Sequence, residues 1–203
     1  LEFSLDNTII ETQIERNLWL NRAAQSLAEA LRLAASKKLD VEFTELVTGY
    51  RLRNGFNYSY VDIYLYDSLS SGAGYAVSVA EDIEVLLEDM KVILTSCNCH
   101  TACSNCLKHY RNQYVHGLLD RFAAMELLNW GMHGEAARPI EITEQTKMVQ
   151  SLSEVLKEMG CFIFADEKLY VEYQNKKKEL VVYPAMLAEP HEKNVIFVSD
   201  AYI

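Results

Sequence analysis

Several things are missing from this 203-residue chain, and each absence narrows its chemistry. No apolar run reaches 18 residues, so no segment is expected to span a membrane, and no signal peptide is recognisable. No internal repeat or low-complexity tract is present, and proline occurs three times. Basic residues are the minority: 19 Lys and Arg against 29 Asp and Glu give a formal charge of −10. That is a poor match to a free-standing nucleic-acid binder, which usually shows a basic face. Any contact with nucleic acid would need a local patch or other domains. There is no phosphate-binding Gly-x4-Gly-Lys-Ser/Thr sequence, no Gly-x-Ser-x-Gly elbow and no His-Glu-x2-His pair. A metal-dependent nuclease strand would end in Glu-x-Lys, but Glu172 is followed by Tyr173 and Gln174. The chain by itself is therefore expected to carry no enzymatic activity.

Cysteine is also scarce, at five residues, yet four of them fall within ten positions. Cys97, Cys99, Cys103 and Cys106 have the spacing C-x-C-x3-C-x2-C. A short loop with four thiolates can wrap one zinc ion in a closed tetrahedral site, which is structural because no position is left for water. Cysteines this close form strained disulfides, and clustered free thiols suit a reducing cytosol. Two rivals share the motif: a redox pair at Cys103 and Cys106, and an iron–sulfur cluster. His100 or His109 could also replace one thiolate. Cys161 lies in the apolar run Cys161–Ala165 and reads as a small core residue.

Half of the residues are hydrophobic, enough to build a core for one sizeable domain or two small ones. Periodicity predicts a long helix over 11–36, with Leu20, Ala24, Leu27, Leu31 and Ala34 on one stripe and Arg22, Glu29 and Arg32 on a solvated face. Two strands, 41–52 and 58–66, flank the turn sequence 53–57 and should pair antiparallel. The stretch from Asp67 to Tyr75 reads as a tight strand-to-helix turn built on Gly72 and Gly74. As a phosphate loop it lacks the third glycine, because Val77 stands there. Helices are expected over 76–94 and 117–131, with the cysteine loop pinned between them. The character changes around Arg138 and Pro139. A helix over 143–159 and strands at 161–165, 169–174, 179–183 and 195–198 follow, with Lys176, Lys177 and Lys178 at a hairpin tip. The fold class is thus α+β. A mainly helical domain over 1–135 has a short β-hairpin and a four-cysteine zinc loop between two helices. A small α+β C-terminal appendage covers 136–203.

An ordered set of motifs goes further. Tyr64-Leu-Tyr-Asp67, the Gly72–Tyr75 turn, the four cysteines with Leu107, Tyr110 and Asn112, and His116-x2-Leu119-Asp120-Arg121 follow one another. Together, over about residues 14–133, they resemble the zinc-binding domain at the C-terminus of MrfA-type DEAD/DEAH-box DNA helicases and related anti-phage defence proteins. One departure is Ser71, where family members often have the first glycine of a Gly-Gly pair. The motif set does not extend into the last 70 or so residues. The resemblance implies Zn2+ as cofactor and an accessory domain of an ATP-dependent superfamily 2 helicase acting in DNA repair or phage defence. Its partners would be helicase motor domains, upstream or in another chain, and single-stranded DNA. Because the chain starts at Leu1 and not at methionine, it is expected to be a piece of a longer cytoplasmic protein. Tyr110 and Tyr114 are candidates to stack on unpaired bases, with Lys108 and Arg111 near phosphates; helix packing and a solvated face are the alternative roles for all four. Asp120 and Arg121 read as a buried structural pair holding their helix to the Gly72–Tyr75 turn. The competing function class is a protein–protein module that assembles such a complex without touching DNA.

Overall fold

A computed structural model describes residues 1–13, 18–69 and 72–203. The fold is mixed α+β, and the chain divides into two compact units, Leu1–Ala136 and Ala137–Ile203.

The axis of the first unit is helix α1, Leu18–Leu39. Its predicted stripe is buried, and so are Trp19, Ala23, Ala28, Ala30 and Ala35. The alanines let neighbouring elements approach closely on several sides. A three-stranded antiparallel sheet packs on it, formed by β1 (Glu2–Asp6), β2 (Leu46–Arg53) and β3 (Tyr58–Asp67) in the order β1-β3-β2. Strand β1 was not expected from sequence; Phe3 and Leu5 are its buried side. Helices α3 (Ile83–Thr95) and α4 (Arg121–His133) also pack against α1.

Several boundaries differ from expectation. Residues 11–13 are not helical, and residues 14–17 of the expected first helix lie outside the described residues, as does Ser71. Glu29 is not on a solvated face: it is 4% exposed. The helix expected over 76–94 is two, α2 (Tyr75–Glu81) and α3. Asp82 leaves the helical region between them (φ −119°, ψ 43°), and its carboxylate meets Lys38 Nζ at 3.1 Å. Helix α4 begins at Arg121 because Asp120 caps it. The Asp120 carboxylate accepts hydrogen bonds from the Phe122 and Ala123 amides at 2.9 and 3.3 Å. Gly134, left-handed at φ 68°, ends it.

The second unit packs helix α5 (Ile142–Glu158) on a four-stranded sheet of β4 (Cys161–Ala165), β5 (Leu169–Tyr173), β6 (Lys176–Tyr183) and β7 (Val195–Ser199), in that order. The first three strands are antiparallel and β7 runs parallel to β6. Val149, Leu169, Leu180 and Val182 form the core, and the Gln145 side chain accepts from the Val182 amide at 2.7 Å. The three lysines do not form the hairpin tip. They open β6, and the tip is Gln174–Asn175, both left-handed (φ 50° and 62°), the conformation of a two-residue type I′ turn. Cys161 is half-buried at the start of β4 and not part of the core.

Candidate metal centre

The segment between α3 and α4 has little regular structure beyond a 3-10 stretch, Tyr110–Leu118. Its first half folds the four cysteines onto one point. All four Sγ atoms lie within 4.8 Å of one another. Cys97 and Cys103 are 3.5 Å apart, Cys99 and Cys106 3.6 Å, and Cys103 and Cys106 3.9 Å. A tetrahedron of sulfurs about 2.3 Å from a zinc ion has edges of about 3.8 Å, so this donor set fits zinc in both chemistry and spacing. The separations suit a single ion more than a cluster, and they are far longer than a disulfide bond.

Backbone amides prepare the sulfurs for charge. The Cys103 amide donates to Cys106 Sγ at 3.2 Å, and the Asn105 amide to Cys103 Sγ at 3.4 Å. The Cys99 amide, aided by the neighbouring thiols, holds the Cys97 thiol down to about 7, whereas burial pushes Cys99 up to about 12. Four thiols packed this tightly cannot all ionise without a cation among them, which is the electrostatic condition a divalent metal satisfies.

Arg121 locks the loop to both helices. Its Nε and Nη2 donate to the Cys99 carbonyl at 3.1 and 2.9 Å, and Nη1 donates to the Leu94 carbonyl at 3.1 Å. Leu94 is in the last turn of α3, where carbonyls lack helical partners. One buried guanidinium from the first turn of α4 therefore ends α3 and fixes a metal-loop cysteine. This corrects the expected partner of Asp120 and Arg121. The Gly72–Tyr75 turn is held instead by Asp67, whose carboxylate accepts from the Gly74 and Ala76 amides at 2.6 and 2.9 Å.

Behind the cysteines sits a polar bracket that sequence reasoning missed. His109 Nε2 lies 3.1 Å from the buried Glu29 carboxylate, so this nitrogen faces α1 and not the cysteine cluster. The Asn112 side chain donates to the Leu107 carbonyl at 2.8 Å and accepts from the His109 amide at 2.9 Å. His116 Nε2 is 2.9 Å from Asn112 Oδ1. The only sequence hint was that Asn112 and His116 recur in the motif set. Lys108 is half-buried, and its amide donates to the Cys103 carbonyl at 2.9 Å. Tyr110 and Tyr114 are 83% and 82% exposed, with Arg111 exposed between them. Their rings have almost no packing role to fill.

Among comparisons with known proteins, the family model bears on this centre. Residues 27–107 match the family described as MrfA Zn-binding domain. The chain is 31% identical over 185 residues to Druantia protein DruE of Escherichia coli (strain UMEA 4076-1); the match takes in 87% of this chain and 10% of that protein. It therefore spans about a tenth of the length of the curated relative it matches. A crystal structure of the DUF1998 helicase MrfA bound to DNA aligns at 18% identity and a TM-score of 0.44, over 59% of this chain and 15% of that one. The resemblance read from the motifs is the one these comparisons return, and the cofactor it carries is zinc. No helix among the described residues is long and apolar enough to cross a membrane.

Proposed function

We propose that Cys97, Cys99, Cys103 and Cys106 hold one structural zinc ion, and that the first unit is an accessory domain of an ATP-dependent superfamily 2 DNA helicase working in repair or phage defence. The observation that carries this is the convergence of four thiols, at tetrahedral spacing, in a segment matching a zinc-binding family named for MrfA. The ion fixes the angle between α3 and α4, so the loop acts as a rigid brace or wedge beside DNA. Lys108 and Arg111 lie near phosphates, and Tyr110 and Tyr114 stack on unpaired bases; the exposure of the two tyrosines supports this role. Motor domains lie upstream or in another chain, the setting is cytoplasmic, and the second unit is an appendage. The chain alone hydrolyses no ATP and unwinds nothing. Elemental analysis of the purified protein tests the first half: one zinc per chain is expected, and iron–sulfur absorbance or clearly less zinc would overturn it.

A second reading, a protein–protein module without DNA contact, is favoured by the charge of −10. Salt separates the two. Several phosphate contacts give an affinity for single-stranded DNA that falls steeply with salt, whereas an interaction module shows no binding to lose. Helicase motifs upstream of Leu1 would decide the class directly.

A further inference from the structure

A second pair of tyrosines lies on the outer face of the first sheet. Tyr64 and Tyr66 are two residues apart on β3, on the face away from α1, whereas Val61 and Ile63 are buried on the other. Their rings stack with centroids 6.2 Å apart and an interplanar angle of 28°, and they are 47% and 50% exposed. Tyr64 lies across Gly49, the residue opposite it on β2, where a Cβ would come within 2.6 Å of the tyrosine oxygen. Only glycine there leaves room for the ring to lie along the sheet.

The end of β3 and the start of the 3-10 stretch of the metal loop both meet the Phe43–Glu45 turn. The Ser68 amide, just beyond β3, donates to the Glu45 carbonyl at 2.8 Å, which sets the end of β3 beside the Phe43–Glu45 turn. Phe43 carries the Arg32 guanidinium over its ring at 3.8 Å, and the His109 ring meets its edge at 4.3 Å. Tyr110 follows His109 directly. Arg32 also donates to the Phe43 carbonyl at 2.9 Å, so its charge is fixed in place. Burial lowers the pKa of this guanidinium, and the charges coupled to it are Glu29 first, then Tyr114, Arg111 and Tyr66. Of the nearby carboxylates, Glu29 is buried against His109 and is also the strongest charge partner of Arg32, Asp67 is occupied by the Gly74 and Ala76 amides, and Glu42 and Glu45 flank Phe43, the first exposed and the second partly buried.

From this arrangement we infer that Tyr64 and Tyr66, with Arg32 as the central cation, extend the surface of Tyr110, Arg111 and Tyr114 into one binding path for single-stranded nucleic acid. The inference rests on the base-stacking reading of the metal-loop tyrosines. Aromatic faces take bases regardless of sequence, and the two arginines supply the charge that a phosphate backbone complements. The path then has two stacking stations, one on the sheet and one on the metal loop, separated by a fixed guanidinium.

The test uses the full zinc-loaded chain and a labelled single-stranded oligothymidylate on the order of ten nucleotides long, at low salt, with an oligouridylate of equal length in parallel. Tyr64→Leu with Tyr66→Leu keeps apolar bulk over Gly49 but removes the rings. It should weaken binding roughly 5- to 150-fold, the range for losing one stacked base, while zinc content stays at wild type. Tyr64→Phe with Tyr66→Phe should bind as wild type does. If the double leucine variant misfolds, Tyr66→Leu alone leaves the Gly49 contact intact and should still lose at least about fivefold. If Tyr110→Leu with Tyr114→Leu weakens binding but the β3 leucine variants do not, the extension is overturned and the metal-loop reading survives. If wild type binds neither oligonucleotide at low salt, both fall and the protein–protein reading takes their place.

Discussion

The two units solve the same problem with different materials. The second is a helix on a sheet, its central cluster of four buried residues all aliphatic, and a buried helix-to-sheet hydrogen bond runs from the Val182 amide to Gln145. Helix α5 and the strand ladders carry most of its regular structure. The first unit has a larger core but must also hold a long irregular segment, 96–120, between two helices. Backbone in such a segment cannot satisfy itself through a ladder. Here side chains do part of it: Arg121 takes the Leu94 and Cys99 carbonyls, and Asn112 takes the Leu107 carbonyl and the His109 amide. The difference teaches where a thiolate cluster is useful. It stands where regular secondary structure runs out, and Cys161, at a strand start, has no such cluster around it among the described residues.

The largest effect that would break this contrast is removal of zinc. Structural zinc in small domains contributes on the order of 10 kcal/mol of binding energy, much of it folding energy. Cys103→Ser should therefore cost several kcal/mol. Hydrogen exchange resolved by region should show protection lost around α3, α4 and the loop and retained in β4–β7. Cys161→Ser should leave zinc content unchanged. Uniform loss of protection across both units would mean that they do not fold independently.

Next in size is Arg121→Ala. It strands the Leu94 and Cys99 carbonyls in a buried site, and a deleted charged hydrogen-bond partner costs roughly 2–4 kcal/mol. Thermal melting of the first unit should drop, and a chelator competition should show weaker zinc retention. A normal melting point with weakened zinc would make Arg121 a tuner of the loop and not a clasp between helices. The mirror experiment in the second unit is Leu180→Ala, at about 2–4 kcal/mol for a cavity in a small aliphatic core. It should unfold β4–β7 first while zinc content stays full.

How much of this could be read from the sequence follows from contact range. The four cysteines are ligand candidates within ten residues, so their spacing carries the site by itself. The α1 stripe is periodic and needs no partner to be seen. Strand β1 pairs only with β3, Glu2 opposite Asp62, and five residues without a turn signal give no local sign of that. Glu29 looks like a surface residue until His109, 80 positions away, is placed against it. Arg121 was recognised as structural, but its partners, 22 and 27 positions back, could not be named from sequence. The lysine hairpin was misplaced for a different reason: the turn uses Gln174 and Asn175 in left-handed conformation, without the glycine that usually advertises it.

The smallest expected effect sharpens the contrast through pH. In the first unit, hydrogen bonds from Arg53, then Arg51, hold the Asp62 carboxyl well below its ordinary 3.8, and the amides of Ala76 and Gly74 hold Asp67 below it too. A carboxyl depressed by folding stabilises the fold above its unfolded pKa, and that contribution is lost as pH falls through the lower folded value. In the second unit, the Glu179 carboxylate, 2.7 Å from Lys168 Nζ, raises the lysine above its ordinary 10.5. Its contribution is present below 10.5 and lost as pH rises through the higher folded value. The first unit should therefore weaken on the acid side and the second on the alkaline side. Protonation of the zinc thiolates also weakens the first unit in acid, so wild-type curves alone do not isolate the carboxyls. Asp62→Asn and Asp67→Asn do. Each should lower the stability of the first unit at neutral pH and flatten its decline below pH 3.8, with zinc content at neutral pH unchanged. Lys168→Met should flatten only the alkaline decline of the second unit. If the Asn variants leave the acid limb as steep as in wild type, thiolate protonation alone sets it, and the carboxyl network contributes nothing measurable to the first unit.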